Sequence, residues 1–151
     1  MAAVTSIMRA QQIYLSRVDL VLRRLGLTFA RYELLTLLSF TRKGRLPLGK
    51  LGARLQVHPA SITNAVNRLE ADGLIVRIPH HLDRRTTLAQ ILPAGLKLVS
   101  RATEELNAKV FELPGISQEE AGQLFCLLKK LRLSAGDFKV DQSELDQARS
   151  K

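Results

Sequence analysis

VHPASITNAVNRLEADGLIVR, residues 57–77, begins with the period of a helix and ends with the period of a strand. Pro59 suits the first turn of a helix, where its missing N–H costs nothing. Gly73 ends that helix, after which Leu74, Val76 and Ile78 alternate with Ile75, Arg77 and Pro79. At about 100° per residue, Ile62, Ala65, Val66 and Leu69 share one narrow stripe, while Ala60, Thr63, Asn64, Asn67, Arg68 and Ala71 lie opposite. A helix that needs only solubility exposes Glu and Lys. This one exposes Thr, Asn and Arg, and its acids, Glu70 and Asp72, come only after the second turn. Carboxylates near the start would repel phosphates, so their absence there permits a polyanion to approach.

The flanking sequence gives that helix a setting. Upstream, a short helix over residues 48–56 turns Leu48, Leu51 and Leu55 inward and leads through Val57-His58 directly into Pro59. Downstream, HHLDRR (residues 80–85) is polar, and TTLAQIL (residues 86–92) is a second β-prone run. No Asn-Gly or Asp-Gly pair joins the two runs, so a hairpin with a long tip is expected rather than a tight two-residue turn. Helix, tight connection, helix, hairpin is the plan of a winged helix-turn-helix, whose second helix enters the major groove of DNA.

The side chains suit that use. Asn donates and accepts together, which matches the N6 and N7 edge of adenine, so Asn64 and Asn67 are candidate base readers. Arg68 can grip guanine bidentately or hold a phosphate. Ser61 and Thr63 carry hydroxyls near a helix N-terminus, where free backbone N–H groups also favour anions. At the hairpin tip, Arg84 and Arg85 can enter a minor groove, where the potential is most negative. The acid beside them, Asp83, makes sense if it orients an arginine, with Arg77 the candidate.

The totals agree. The chain has 151 residues, the size of one domain, with 46% hydrophobic residues and a formal net charge of +9. Residues 41–92 hold nine cationic and three acidic residues, the most electropositive part of the chain. One cysteine excludes an internal disulfide, and neither a membrane span nor a signal peptide is visible, so a reducing, cytoplasmic setting is expected. Helical patterns run over residues 4–25, over a segment capped by Thr28, over residues 93–112 with Leu96, Val99, Ala102, Leu106 and Val110 inward, and from Ser117 to Leu133. Ser117 and Glu120 have capping-box spacing, and the tail over residues 136–151 is polar.

Three stretches, LGLTFARYELL (25–35), LPLGKLGARLQVHPASITNAVNRLEADGLIVR (46–77) and DRRTTLAQILPAG (83–95), resemble the MarR family of bacterial transcriptional regulators. The resemblance covers roughly residues 10–135. It implies a mainly α fold with a small β-hairpin: a winged helix-turn-helix over about residues 28–92, flanked by dimerisation helices over about 4–25 and 93–135. It implies a homodimer on a pseudo-palindromic operator, with double-stranded DNA as partner and the two reading helices about 34 Å apart. It also implies a repressor released by a small anionic aromatic effector, bordered by the helices that carry Tyr14, Arg17, Arg31 and Tyr32. The DNA contacts carry over to Ala60, Ser61, Thr63, Asn64, Asn67 and Arg68, and the family's Asp-x-Arg wing motif matches Asp83 and Arg85, with Arg77 as the bracing arginine. The family's Leu-Thr-x-x-Gly opening of the fifth helix is Leu92-Pro93-Ala94-Gly95 here, so a proline replaces the capping threonine.

Other chemistry is not supported. Adjacent histidines on a strand end, as at His80-His81, usually point apart, and no Cys, Asp or Glu cluster completes a metal shell around them. They are read as extra charge near DNA at mildly acid pH. His58 reads as a packed or capping residue. Cys126, set among leucines, reads as a buried structural thiol rather than a redox sensor. No phosphate-binding loop, Ser-His-Asp set or paired carboxylates point to an enzyme, and no cofactor is expected. The competing reading is a winged helix used as a protein-interaction module, which should expose apolar or acidic residues on the Pro59 helix.

Overall fold

The computed structural model describes residues 1–81, 83, 85–112 and 115–137. In chain order the elements are α1 (Ala2–Arg23), α2 (Phe29–Ser39), β1 (Arg45–Pro47), α3 (Leu48–Leu55), α4 (Pro59–Ala71), β2 (Ile75–Pro79), β3 (Thr87–Ile91), α5 (Pro93–Leu106), a π-helical turn (Asn107–Phe111) and α6 (Gln118–Ser134). The chain divides into two units, Met1–Glu112 and Leu113–Lys151, and α6 lies in the second.

Local signals set most of these boundaries. The Thr28 hydroxyl accepts the Arg31 N–H and starts α2. The imidazole of His58 accepts the Ala60 N–H at 3.2 Å, so His58 is the cap of α4, with Pro59 at its first position. Gly73 takes φ +68°, a left-handed turn that suits a residue without Cβ, and lets the Leu74 N–H donate to the Leu69 carbonyl at 2.9 Å. Ser117 and Glu120 form the expected reciprocal capping box on α6. Gln56 ends α3 in the left-handed region at φ 52°, where the chain reverses into the connection to α4.

The hairpin has a third strand. β1, which the breaks at Gly44 and Pro47 mark in the sequence as a short extended piece, pairs antiparallel with β3, so the sheet order is β1-β3-β2 rather than a two-stranded hairpin alone. The register Leu46↔Ala89 and Arg77↔Ala89 puts those three side chains on one face; Pro47, Leu88 and Ile78 share the other. The core of the first unit lies between the helices and the sheet. Leu22, Leu34, Leu35, Leu38, Leu51, Val66, Leu69, Ile75, Ala89, Ala102 and Leu106 are fully or almost fully buried in it.

Helix α5 departs from its expected pattern in two places. It ends as an α-helix at Leu106 and continues as the π-helical turn. Its buried stripe begins at Gly95 rather than Leu96, which is exposed. The reason is contact distance: a Cβ at position 95 would lie 2.3 Å from the Leu74 carbonyl oxygen and 2.9 Å from Cγ1 of Ile91. Only a residue without a side chain lets α5 come this close to the sheet. Within the second unit, α6 buries none of its side chains, and Cys126 is exposed. The expected buried thiol is therefore corrected: a leucine-rich helix places its cysteine inside only if another element covers it.

Candidate nucleic-acid interface

Helix α4 is held from one side only. Ile62, Val66 and Leu69 are buried against the core, Ala65 is half-buried, and Ala60, Ser61, Thr63, Asn64, Asn67, Arg68 and Ala71 are all exposed. The stripe expected from the period of the sequence is therefore the packed side, and the candidate readers lie together on the open side. The Thr63 hydroxyl donates to the Pro59 carbonyl at 3.1 Å, which leaves its oxygen lone pairs able to accept. Neither the Asn64 nor the Arg68 side chain has a hydrogen-bond or ion-pair partner among the described residues, so both are free to meet a ligand.

Asn67 is different. Arg77, on β2, donates through Nη2 to Oδ1 of Asn67 and through Nη1 to Glu70, and its backbone N–H donates to the other Glu70 oxygen at 2.9 Å. Asn67 and Glu70 are one turn apart on α4. The guanidinium thus ties the reading helix to the sheet and fixes the direction of an amide. With Oδ1 turned to Arg77, Asn67 offers its Nδ2 donors outward. Those donors suit acceptor edges, guanine O6 and N7 or thymine O4, rather than the paired donor and acceptor of adenine. Asn64, whose side chain has no partner among the described residues, keeps both its donor and its acceptor available.

This changes the expected role of Asp83. Asp83 accepts the Arg85 backbone N–H at 3.0 Å and the Thr86 hydroxyl at 2.7 Å, and forms no hydrogen bond or ion pair with Arg77. The Thr86 hydroxyl bond, then the Arg85 backbone bond and the charge of His80, hold its carboxyl below the usual aspartate value. Asp83 shapes the hairpin tip locally, and the partner of Arg77 is Glu70. In the sequence Glu70 stands only as a late acid on α4. The available signal was its place one turn after Asn67 on the side of α4 that leads into β2. Arg85 is exposed at the tip; Arg84 lies outside the described residues.

Two grooves flank this arrangement. One of about 610 Å³ runs between the start of α2 and α4, bordered by Thr28, Arg31, Ser61, Asn64, Arg68 and Asp72. Within it Arg31 lies 3.4 Å from Asp72, a partly exposed pair of small energetic weight. A second, of about 450 Å³, lies between the start of α3 and the hairpin arm, bordered by Gly49, Lys50, Arg85 and Thr86. An exposed helix face beside a polar groove, with Lys50 and Arg85 bordering a second groove at the hairpin arm, can accept base edges on the helix and phosphates at the cations.

The remaining candidates have structural occupations. The Tyr32 hydroxyl is 3.0 Å from that of Thr103, and the Arg17 guanidinium lies 5.7 Å from the centre of the Tyr14 ring. The rings of His80 and His81 stack at 4.9 Å instead of pointing apart. Among the described residues no group of three or more His, Cys, Asp or Glu could hold a metal ion, and no helix is long and apolar enough to cross a membrane.

Known proteins are similar to this chain in sequence and fold. The family model described as MarR family matches residues 27–87, from just before α2 to the first residue of β3. The HTH-type transcriptional regulator MhqR of Bacillus subtilis is 32% identical over 114 residues, covering 75% of this chain and 77% of that protein. The crystal structure of Sco5413, a MarR family transcriptional regulator from Streptomyces coelicolor, superposes with a TM-score of 0.85 at 50% identity, covering 93% of this chain and 97% of that one. A mutant MarR from E. coli complexed with operator DNA shares the fold, with a TM-score of 0.79 at 20% identity over 87% of this chain and 94% of that one.

Proposed function

Since this chain belongs to the MarR family and is a DNA-binding transcriptional regulator rather than an enzyme, we propose that it acts in the cytoplasm as a homodimeric repressor of a pseudo-palindromic operator. The observation that carries this reading is the open side of α4, where Thr63, Asn64, Asn67 and Arg68 stand exposed with no acid in the first two turns. In this reading Asn64, Asn67 and Arg68 address base edges. Ala60, Ser61 and Thr63 lie against the groove wall and phosphates, and Arg85 with Arg84 enters the minor groove beside it. Asp83 fixes the tip and Arg77 braces the sheet against α4.

Homodimerisation is supported by apolar surface. Val4, Met8, Ile13 and Leu20 are exposed along α1, and Leu124, Phe125, Leu127 and Leu131 along α6. At about 25 cal/mol per Å² such surface favours association once a partner covers it. A two-fold dimer would set the two reading helices about one turn of DNA, roughly 34 Å, apart. The structure of a MarR protein on operator DNA fits an operator as the ligand class. Release by a small anionic aromatic molecule rests on the family membership, since Arg17 and Tyr14 are paired with each other.

Selection of bound duplexes from a random pool tests the whole reading. The expected product is an inverted repeat with half-site centres about one turn apart. Affinity for it should fall with salt at a log–log slope near −0.9 per neutralised phosphate. A pool that returns no preferred sequence, or a salt-independent interaction, would favour the protein-interaction module instead.

A further inference from the structure

The face of the sheet turned away from α4 carries a second concentration of charge. Arg42 and Lys43 from the loop after α2, Arg45 from β1, Lys50 from α3, and His80 and His81 from the end of β2 border one groove of about 420 Å³. No carboxylate lines it. Among the described residues, none of Arg42, Lys43, Arg45 or Lys50 has an ion-pair partner. The chain from residue 34 to residue 69 contains no acid at all. Asp83 senses the charge of His80, but its oxygens are taken by Thr86 and the Arg85 backbone.

Solubility alone is served by charges of both signs interspersed over a surface. Four fixed cations drawn from three segments into one concavity repel one another, and an anion seated among them offsets that repulsion. We propose that this groove is a phosphate-binding site distinct from the α4 face, occupied by the sugar–phosphate backbone of the duplex beyond the stretch that α4 and the hairpin read. This rests on the DNA-binding reading above and extends it. The path is continuous: Pro47 and Lys50 border both this groove and the one that holds Arg85. A strand leaving the hairpin passes from one set of cations to the next. The consequence is a footprint longer than the operator core, with the flanks drawn toward the sheet.

The test uses the full-length protein and two duplexes with the same selected core, one flush with it and one carrying about one further helical turn on each side. The variant Arg42→Gln/Lys43→Gln/Arg45→Gln leaves Lys50, which the neighbouring groove shares, in place. It should weaken binding to the long duplex about tenfold or more and lower the salt slope there by roughly 0.9 for each phosphate released. Binding to the short duplex should stay within about twofold of wild type. Wild-type binding to the short duplex reports on the α4 reading separately, so a failure of that reading is visible on its own.

Lys43→Glu provides a second variant should the triple substitution lower the melting temperature. Inorganic pyrophosphate, titrated into the free protein and followed by amide shifts at residues 42–45, distinguishes the other source of the same chemistry. A pyrophosphate response lost in the variant, without flank dependence, assigns the site to free phosphorylated molecules. Equal losses on both duplexes overturn its placement outside the core. No flank dependence together with no pyrophosphate response overturns the site.

Discussion

Asn67→Ala and Arg77→Ala should act on DNA binding as one change rather than two. Arg77 holds Oδ1 of Asn67 through Nη2 while Glu70 anchors the same guanidinium. Arg77 and Glu70 are 27% and 34% exposed, so the pair is neither a surface ornament nor a buried charge. A hydrogen bond to a charged group contributes about 1.5–3 kcal/mol when well shielded, and partial exposure brings the orienting effect down to about 1 kcal/mol. On the proposed reading Asn67→Ala removes a base contact and should cost about 1–2 kcal/mol, or roughly 5–30-fold in Kd. Arg77→Ala leaves the amide free to turn and should cost about 1 kcal/mol, roughly fivefold. If Arg77 acts through Asn67, the double variant binds no more weakly than Asn67→Ala alone, and the coupling energy is about 1 kcal/mol. Fluorescence anisotropy on the selected duplex at fixed salt, with all four proteins, measures it. A urea titration of each variant guards against a folding defect, because Arg77→Ala strips Glu70 of its counter-charge. Losses that add to within about 0.3 kcal/mol would refute the reasoning and place Arg77 in direct contact with DNA.

Two further outcomes follow from contacts elsewhere. Gly95→Ala would set a Cβ 2.3 Å from the Leu74 carbonyl oxygen, which the Leu92 N–H already fixes at 2.9 Å. The backbone cannot turn aside, so about 2–3 kcal/mol of stability should be lost despite alanine's better helix propensity, and an unchanged urea midpoint would show that α5 is free to slide. Glu33 is half-buried, and desolvation raises its carboxyl above the ordinary 4.5. The native state therefore holds that proton more tightly than the unfolded chain, and stability falls as pH rises from 4.5 through the folded value. Glu33→Gln should remove this loss, so its melting temperature should exceed that of wild type at pH 7, with the gain shrinking toward pH 4.5; a gap independent of pH would contradict it.

Much of the architecture was legible because helix ends are local. Thr28, Pro59, Gly73 and the Ser117–Glu120 box each act within one turn, and each appears where its chemistry predicts. The buried stripe of α4 followed from its period for the same reason. What the sequence hid depends on distance along the chain. β1 is three residues long and finds β3 some forty residues later, a pairing that no local pattern announces. Gly95 is the first core position of α5 because of how near the Leu74 carbonyl lies, whereas periodicity credits the larger neighbour, Leu96. An acid beside the tip arginines and the family's bracing arginine point to a pairing of Asp83 with Arg77, but the nearer oxygens belong to Glu70 across the helix–strand turn. The groove bordered by Arg42, Lys43, Arg45 and Lys50 was visible only as a charge count until β1 and α3 brought them together.

The span from residue 34 to residue 69, which contains six cationic residues and no carboxylate, also governs how the protein searches. Fixed positive charge grips any duplex by releasing its counterions, whatever the bases. Most molecules in a cell would then ride along chromosomal DNA, gliding and hopping between random sequences. Occupancy of the true target is set by how many decoy stretches compete with it, and the solution Kd alone does not predict it.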